Sequence, residues 1–159
     1  MEVMRVEVSM RVALQDLEET GNPLNDTQIN EATALVEILD RLRFRKPFGL
    51  ELICENGFIL SICLAEKYGA LEYKLRNGDP PYMQAVAPGS RPMPNEANPY
   101  AAAVKADNDS GTEPPEFLVG GTATPVPTRY ILPYEMVKEI AAYFLETGQR
   151  KPDTFWEEI

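Results

Sequence analysis

Carboxylates are the side chains of this chain that could do chemistry, since it has 25 aspartates and glutamates and no histidine. Without histidine, a Ser-His-Asp triad, a Cys-His pair and a histidine metal site are all excluded. The sequence also lacks a Walker loop and a dinucleotide fingerprint. Gly120-Gly121-Thr122 could cradle an anion, although an isolated Gly-Gly pair usually forms a turn. A hydrolase that uses two carboxylates stays possible, but no pair stands out at a helical or strand spacing.

The overall charge narrows the classes of partner. The formal net charge is −10 and the isoelectric point is about 4.5. This charge disfavours nucleic acid and anionic membranes as ligands and favours a cationic partner, although solubility alone explains most acidic proteins. No apolar run approaches the roughly 20 residues of a membrane span, and residues 1–14 lack the apolar core of a signal peptide. We expect a cytoplasmic protein without a cofactor or a metal.

The elements that would position the carboxylates are organised around residues 48–75, which predict an antiparallel meander. Asn56-Gly57 lies between two apolar runs. This pattern is a strong hairpin signal, because a type I′ turn needs positive φ at both central residues. A second turn is expected at residues 66–69. A two-residue first loop would place Cys54 opposite Ile59.

This register predicts two unequal faces of the meander. The core face would carry large apolar residues, namely Ile53, Phe58, Leu60, Ile62, Leu64, Leu71, Tyr73 and Leu75. Glu51 and Glu55 would fall near the margin of this face. The opposite face would carry Leu50, Leu52, Cys54, Ile59, Ser61, Cys63, Glu72 and Lys74. That face is too apolar to be fully solvated, so a loop, a strand or a partner should cover part of it. The two cysteines would share this face without being opposite each other, so we predict no disulfide.

Two helices should flank the meander. Period-two alternation predicts a strand over residues 6–14. Asn25 would cap a first helix, whose apolar stripe continues to Leu42. A second amphipathic helix would begin at Pro133 and end before Gly148. For the first helix, packing on the core with a solvated outer side is favoured over binding a partner.

The remaining strands complete an α+β fold. Residues 117–119 return to the sheet, residues 122–127 can form only an edge strand because of their prolines, and residues 128–132 form a last strand. Trp156 should fold back onto the sheet. The predicted fold is an antiparallel β-sheet with a central meander, two main helices packed on one face and one long irregular loop.

The long loop covers residues 76–115 of a single domain that spans residues 1–159. It is rich in proline and acidic residues, with a short possible strand at residues 82–86. Loops of this length are uncommon in compact domains and are usually functional or mobile. A disordered surface insertion and a binding loop are equally good interpretations.

The C-terminal residues carry a resemblance to a known family. An amphipathic helix ends in a Phe-x-x-Thr-Gly-like motif, and a basic residue, a proline and a tryptophan follow. Here the signature lies in residues 132–136 and 144–148, with Arg150, Pro152 and Trp156 beyond them. It resembles the closing signature of the bacterial immunity protein one family of polymorphic toxin systems. The meander is similar to the central hairpins of that family, whereas the loop at residues 76–115 is longer than usual.

The resemblance implies a protein that binds a cognate toxin and blocks its active site. It implies no catalytic residues, and the toxins of such systems include nucleic-acid deaminases and nucleases. A cationic active-site cleft would suit the acidic charge of this chain. The candidate toxin-binding residues are Glu66, Tyr68, Glu72, Asp79, Tyr82, Glu96, Asp107 and Asp109. Tyr73 is a further candidate, although its position in the meander favours core packing.

Two alternatives belong to other classes. One is a small hydrolase that uses paired carboxylates. The other is an adaptor that forms a homodimer through the apolar outer side of the meander.

Overall fold

The structure is a computed structural model that describes residues 11–88 and 114–159. These residues form an open sheet of ten strands with two helices packed on one face, which confirms the predicted α+β fold. The predicted strand at residues 6–14 and the predicted loop at residues 76–115 both extend beyond the described ranges. None of the described helices is both long and apolar enough to cross a membrane.

The helices are α1 (Ala32–Leu42) and α2 (Tyr134–Thr147). The strands are β1 (Val12–Asp16), β2 (Thr27–Gln28), β3 (Phe48–Cys54), β4 (Phe58–Leu64), β5 (Tyr68–Leu75), β6 (Met83–Ala85), β7 (Glu116–Val119), β8 (Thr122–Pro125), β9 (Leu132–Pro133) and β10 (Trp156–Glu158). Their order across the sheet is β10-β6-β5-β4-β3-β1-β2. Strand β7 joins β3 through one parallel pair and continues into β8, while β9 pairs with the first residues of β5.

The loop between β3 and β4 has three residues, so the predicted register of this hairpin is wrong by one. Ile53 pairs with Ile59, and the loop is Glu55-Asn56-Gly57. Only Gly57 takes a positive φ there, at 98°, whereas a type I′ turn would require it of Asn56 as well. The Asn56 side chain instead accepts a hydrogen bond from the Phe58 N–H at 2.9 Å.

This shift changes the faces of β3, because a slip of one residue exchanges the two sides of a strand. Leu50, Leu52 and Cys54 pack in the core with the helices, and Ile53 lies on the other face. The turn between β4 and β5 is also tighter than predicted, with Leu64 opposite Gly69. This second shift is an even number of residues, so the faces of β5 are as predicted.

Helix α1 begins at Ala32, so the predicted cap at Asn25 is wrong. The Asn25 side chain accepts the Asp16 N–H at 2.6 Å and donates to the carbonyls of Glu19 and Thr20. It therefore orders the connection between β1 and β2. The short β2 occupies residues that the prediction gave to the first turn of the helix.

The C-terminal region departs from the prediction in two places. Helix α2 begins at Tyr134, because Pro133 is extended with ψ 151° and pairs with Tyr68 in the sheet. Residues 128–130 form a 3₁₀ turn, and only the two residues of β9 form a strand there. Helix α2 ends at Thr147, before Gly148 as predicted, and Gly148 takes the left-handed conformation with φ 71°. Trp156 lies in β10 against β6, so its predicted return to the sheet is confirmed.

Candidate functional site

The sheet face opposite the helices, called here the outer face, is partly covered by a second apolar cluster. Phe117 of β7, Val126 and Ile131 pack there against Ala65 and Ala70. We expected a loop, a strand or a partner to cover part of this face, and here β7 and the segments around Val126 and Ile131 cover it. The cover lies near the turn between β4 and β5.

A row of polar side chains crosses the same face next to this cluster. Cross-strand pairing places one polar residue from each of six strands side by side. We call this set the polar row, and it consists of Gln15, Glu51, Ser61, Glu72, Gln84 and Glu157. Six neighbouring strands thus carry hydrogen-bonding groups at one level of an otherwise largely apolar face.

Two carboxylates of the polar row share a single lysine. Lys74 Nζ lies 3.8 Å from Glu51 Oε2 and 3.4 Å from Glu72 Oε1. The side chains of Glu51 and Glu72 are only 18% and 26% exposed. Ser61 Oγ donates to Glu51 Oε2 at 3.3 Å. The group therefore keeps one net negative charge in a half-buried setting, where charges interact more strongly than in bulk water.

The Glu157 end of the polar row is held more firmly. Glu157 forms an ion pair with Arg129 and accepts the Tyr130 hydroxyl at 2.8 Å. Burial and the neighbouring Glu157 carboxylate raise the pKa of Tyr130, so its hydroxyl is protonated and donates at neutral pH. The negative charge of Glu157 is therefore already neutralised by Arg129 of the same chain.

Cys63 lies beside the polar row, on the outer face. Burial, with a smaller contribution from Glu72, raises the pKa of the Cys63 thiol to about 12, although Lys74 opposes this. The thiol is therefore protonated at neutral pH and is a poor nucleophile. Cys54 points into the core on the other side of the sheet, and the two cysteines form no disulfide. The prediction that they share a face is wrong.

The described candidate residues lie in β5 and in the connections on either side of it, and they do not form one cluster. Glu66 is exposed in the turn before β5, and Asp79 is exposed in the turn after it. Tyr68 packs edge-to-face against Phe117, with 6.1 Å between ring centroids. Only Glu72 belongs to the polar row.

Four further candidates have separate outcomes. The Tyr82 hydroxyl donates to the Gly78 carbonyl, so it helps to hold the turn between β5 and β6. Glu96, Asp107 and Asp109 lie outside the described residues.

Sequence reasoning placed Ser61 and Glu72 on one face, but it missed Gln15, Glu51, Gln84 and Glu157 as members of the same surface. The missing information was the length of the first hairpin loop. The two-residue loop placed Glu51 at the margin of the core face, on the side opposite Glu72. A three-residue loop brings Glu51 next to Ser61 and one strand away from Glu72.

The residues behind the family resemblance have structural roles here. The Tyr73 hydroxyl and the Asn56 amide both donate to the Gly148 carbonyl, at 3.2 and 3.1 Å. The Arg150 guanidinium lies 5.6 Å from the Tyr73 ring centroid and 6.0 Å from that of Trp156. The signature thus ties the end of α2 to the first hairpin, and Tyr73 is a core residue.

No group of three or more Cys, Asp or Glu side chains within residues 11–88 and 114–159 is arranged to hold a metal ion. No protein-family model matches the chain, and no curated protein matches it either. The polar row and the resemblance in sequence are therefore the basis for a functional proposal.

Proposed function

We propose that this chain is an immunity protein that binds a bacterial toxin and blocks its active-site cleft. The observation that carries the proposal is the pair of half-buried carboxylates, Glu51 and Glu72, that share Lys74. A lysine or arginine from a partner would neutralise the remaining negative charge there. Because the setting is half-buried, such a contact is worth more than a salt bridge in full solvent.

The charge of the whole chain supports the same partner. A toxin that acts on nucleic acid, such as a deaminase or a nuclease, needs a cationic cleft for the phosphate backbone. A partner with a net charge of −10 competes for that cleft and associates rapidly through electrostatic steering. The chemistry is stoichiometric binding in the cytoplasm, without turnover, cofactor or direct contact with nucleic acid.

Co-expression with the product of the gene immediately upstream tests this function. We expect a one-to-one complex, loss of the toxin's activity and survival of cells that otherwise stop growing. The variant Glu51→Gln/Glu72→Gln should weaken protection, whereas Glu139→Gln on the exposed surface of α2 should protect like the wild type. Failure of the wild type to protect against that protein would contradict the proposal.

A hydrolase that uses two carboxylates is the second candidate, and the geometry of Glu51 and Glu72 around Lys74 favours it over other enzymes. One carboxylate would act as an acid and the other as a nucleophile or base. Turnover of a substrate by the purified chain, lost in both Glu51→Gln and Glu72→Gln, would support this candidate.

A homodimeric adaptor is a third proposal, but the apolar sheet face on which it was based is smaller than expected. Leu50 and Leu52 were expected on the outer face, and they lie in the core instead. A charge at Leu52 would therefore unfold the protein and test nothing about a dimer. Sedimentation over a range of concentrations is the suitable measurement, with Ile53→Glu on the outer face as the interface variant.

A further inference from the structure

Strand β10 forms one edge of the sheet, and its backbone ladder extends beyond the strand itself. Among the described residues, β10 pairs only with β6. The Val86 N–H donates to the Phe155 carbonyl at 2.8 Å, and the Ile159 N–H donates to the Tyr82 carbonyl at 2.9 Å. These two bonds continue the register of the pair by one residue at each end. Residues 155–159 therefore form one extended edge.

The register decides which backbone groups of this edge point away from the sheet. In an antiparallel pair, the N–H and C=O of one residue face the same neighbour, and successive residues alternate between the two sides. The backbone groups of Phe155, Glu157 and Ile159 therefore face β6. Those of Trp156 and Glu158 point outwards, where an added strand can pair with them.

The side chains of the same five residues alternate between the two faces of the sheet. Trp156 packs against the core on the helix side, and Glu157 lies in the polar row on the outer face. Phe155 and Ile159 flank Glu157 on that outer face, and they are 47% and 53% exposed. The other open edges within the described ranges, β2 and β8, carry no exposed large hydrophobic residue. Only this edge thus combines outward backbone groups with exposed apolar side chains.

Charge distinguishes a foreign strand from a second copy of this chain. Pairing of two β10 strands would bring Glu157 and Glu158 of both copies to one edge, and like charges opposite each other are destabilising. Glu158 is exposed and forms no ion pair with any residue in the described ranges. Arg129 is paired with Glu157, and Arg150 lies against Trp156 at the other end of β10. A lysine or arginine opposite Glu158 would therefore suit this edge.

We propose that the free edge of β10 binds an extended segment of a partner protein, which adds an antiparallel strand to the sheet. Basic residues alternate with apolar residues in this segment. Its basic side chains lie on the side of Glu158, and its apolar side chains contact Phe155 and Ile159 as cross-strand neighbours. The edge goes beyond the proposed function, because it binds through the backbone of β10 and not through the carboxylates Glu51 and Glu72.

A seven-residue peptide in which lysine and valine alternate, with lysine at both ends, tests the proposal. Its binding is followed by NMR of the isotope-labelled full chain at low ionic strength. We expect the largest shifts at the amides of Trp156 and Glu158. A peptide of the same composition with its valines in one block controls for simple attraction to an acidic chain, and it should bind at least about tenfold more weakly.

N-methylation of the peptide separates strand addition from contacts of side chains. In the antiparallel arrangement the lysines lie opposite Trp156 and Glu158, so their N–H groups point towards β10. Methylation of the lysine backbone nitrogens should weaken binding at least about tenfold, because hydrogen bonds to the edge are lost. Methylation of the valine nitrogens, which point away, should change the affinity by less than about twofold. Equal losses for the two methylated peptides would overturn the proposal.

Variants of the chain give an independent measurement. Glu158→Pro removes an outward N–H from an edge strand, where proline is tolerated, and should weaken binding about tenfold. Glu158→Gln keeps this N–H and should lose only the part of the affinity that added salt also removes. Phe155→Ala/Ile159→Ala should weaken binding about threefold to tenfold. Glu51→Gln/Glu72→Gln should bind the peptide like the wild type, so failure of this inference and failure of the proposed function are distinguishable.

Two further results would overturn the proposal. One is a set of peptide-induced shifts that leaves the amides of Trp156 and Glu158 unchanged. The other is a dimer of the chain that Glu158→Pro dissociates, because it would assign this edge to a second copy.

Discussion

Asp16 is the only buried charged residue within the described ranges, and its carboxylate is fully engaged. It accepts the backbone N–H groups of Glu18 and Glu19, the Asn22 amide and the Arg45 guanidinium, the last at 2.7 Å. Burial alone would raise the pKa of Asp16, but these four donors together lower it below the ordinary value. The buried charge is tolerated because these four donors stabilise the ionised form.

The lowered pKa of Asp16 predicts acid sensitivity. A group with a depressed pKa in the folded state contributes stability above its unfolded pKa, about 3.9, and loses it as the pH falls through the folded value. We expect Asp16→Asn to lower the free energy of unfolding by about 1–3 kcal/mol at pH 7. Its loss of stability below about pH 4 should be shallower than that of the wild type.

Urea unfolding at neutral and acidic pH measures this effect. Asp79→Asn is the matched control, because Asp79 is exposed and its substitution should leave the free energy of unfolding unchanged. If the free energy of unfolding falls equally steeply at acidic pH in the wild type and in Asp16→Asn, the lowered pKa of Asp16 is contradicted.

Cys63 gives a second prediction for a single residue. Because its pKa is about 12, the thiolate fraction at pH 8 is on the order of one in ten thousand. We expect the folded protein to react with a disulfide reagent far more slowly than the protein in urea. A rapid reaction of one thiol in the folded protein would contradict the burial of Cys63 on the outer face.

At the scale of elements, Gly69 sets the distance between β5 and α2. A Cβ built at Gly69 would lie 2.5 Å from the Cys63 carbonyl oxygen and 3.0 Å from Val137 Cγ2 of α2. Since the first contact is with backbone, Gly69→Ala should destabilise the fold by about 1–3 kcal/mol. Gly21→Ala is the control, because no atom lies within 4 Å of its Cβ position. Equal midpoints of thermal unfolding for Gly69→Ala and Gly21→Ala would contradict the close packing at Gly69.

The face of β3 can be tested in the same way. Leu52 is fully buried in the core, whereas Ile53 is half-buried on the outer face. We expect Leu52→Ala to cost about 2–5 kcal/mol and Ile53→Ala clearly less. If denaturant unfolding shows a larger loss of stability for Ile53→Ala than for Leu52→Ala, the register with a two-residue loop is supported instead.

The three strands of the meander, the second helix and its glycine end could be predicted from the sequence because their signals are local. The register of the first hairpin could not, since Asn56-Gly57 fits both a two-residue loop and the last two positions of a three-residue loop. The predicted start of α1 was wrong for a related reason. The Asn25 side chain hydrogen-bonds to the chain between β1 and β2, so it does not cap a helix. Side-chain competition of this kind depends on tertiary contacts.

The candidate site was only partly predictable for the same reason. Glu72 was identified from its charge and its strand. Glu51 was not, because its face depended on the loop length. A polar row that draws one residue from each of six strands becomes visible only when every register is known.

At the scale of the whole molecule, the polar row on the outer face is the surface on which the proposed function depends. Its paired carboxylates Glu51 and Glu72 carry negative charge in a chain of net charge −10. Charge reversal on the outer face should therefore weaken the binding of a cationic partner. We expect Glu51→Lys/Glu72→Lys to slow association with the toxin, and the difference from the wild type should diminish as salt is added.

The most direct test is the dissociation constant between the purified chain and the protein encoded immediately upstream, measured by titration calorimetry. We predict a one-to-one complex that is weakened about a hundredfold or more by Glu51→Lys/Glu72→Lys, because a like charge at a half-buried contact is strongly unfavourable. Glu139→Lys on α2 should have little effect. Equal dissociation constants for the wild type and Glu51→Lys/Glu72→Lys, or no complex with the wild type, would contradict the account.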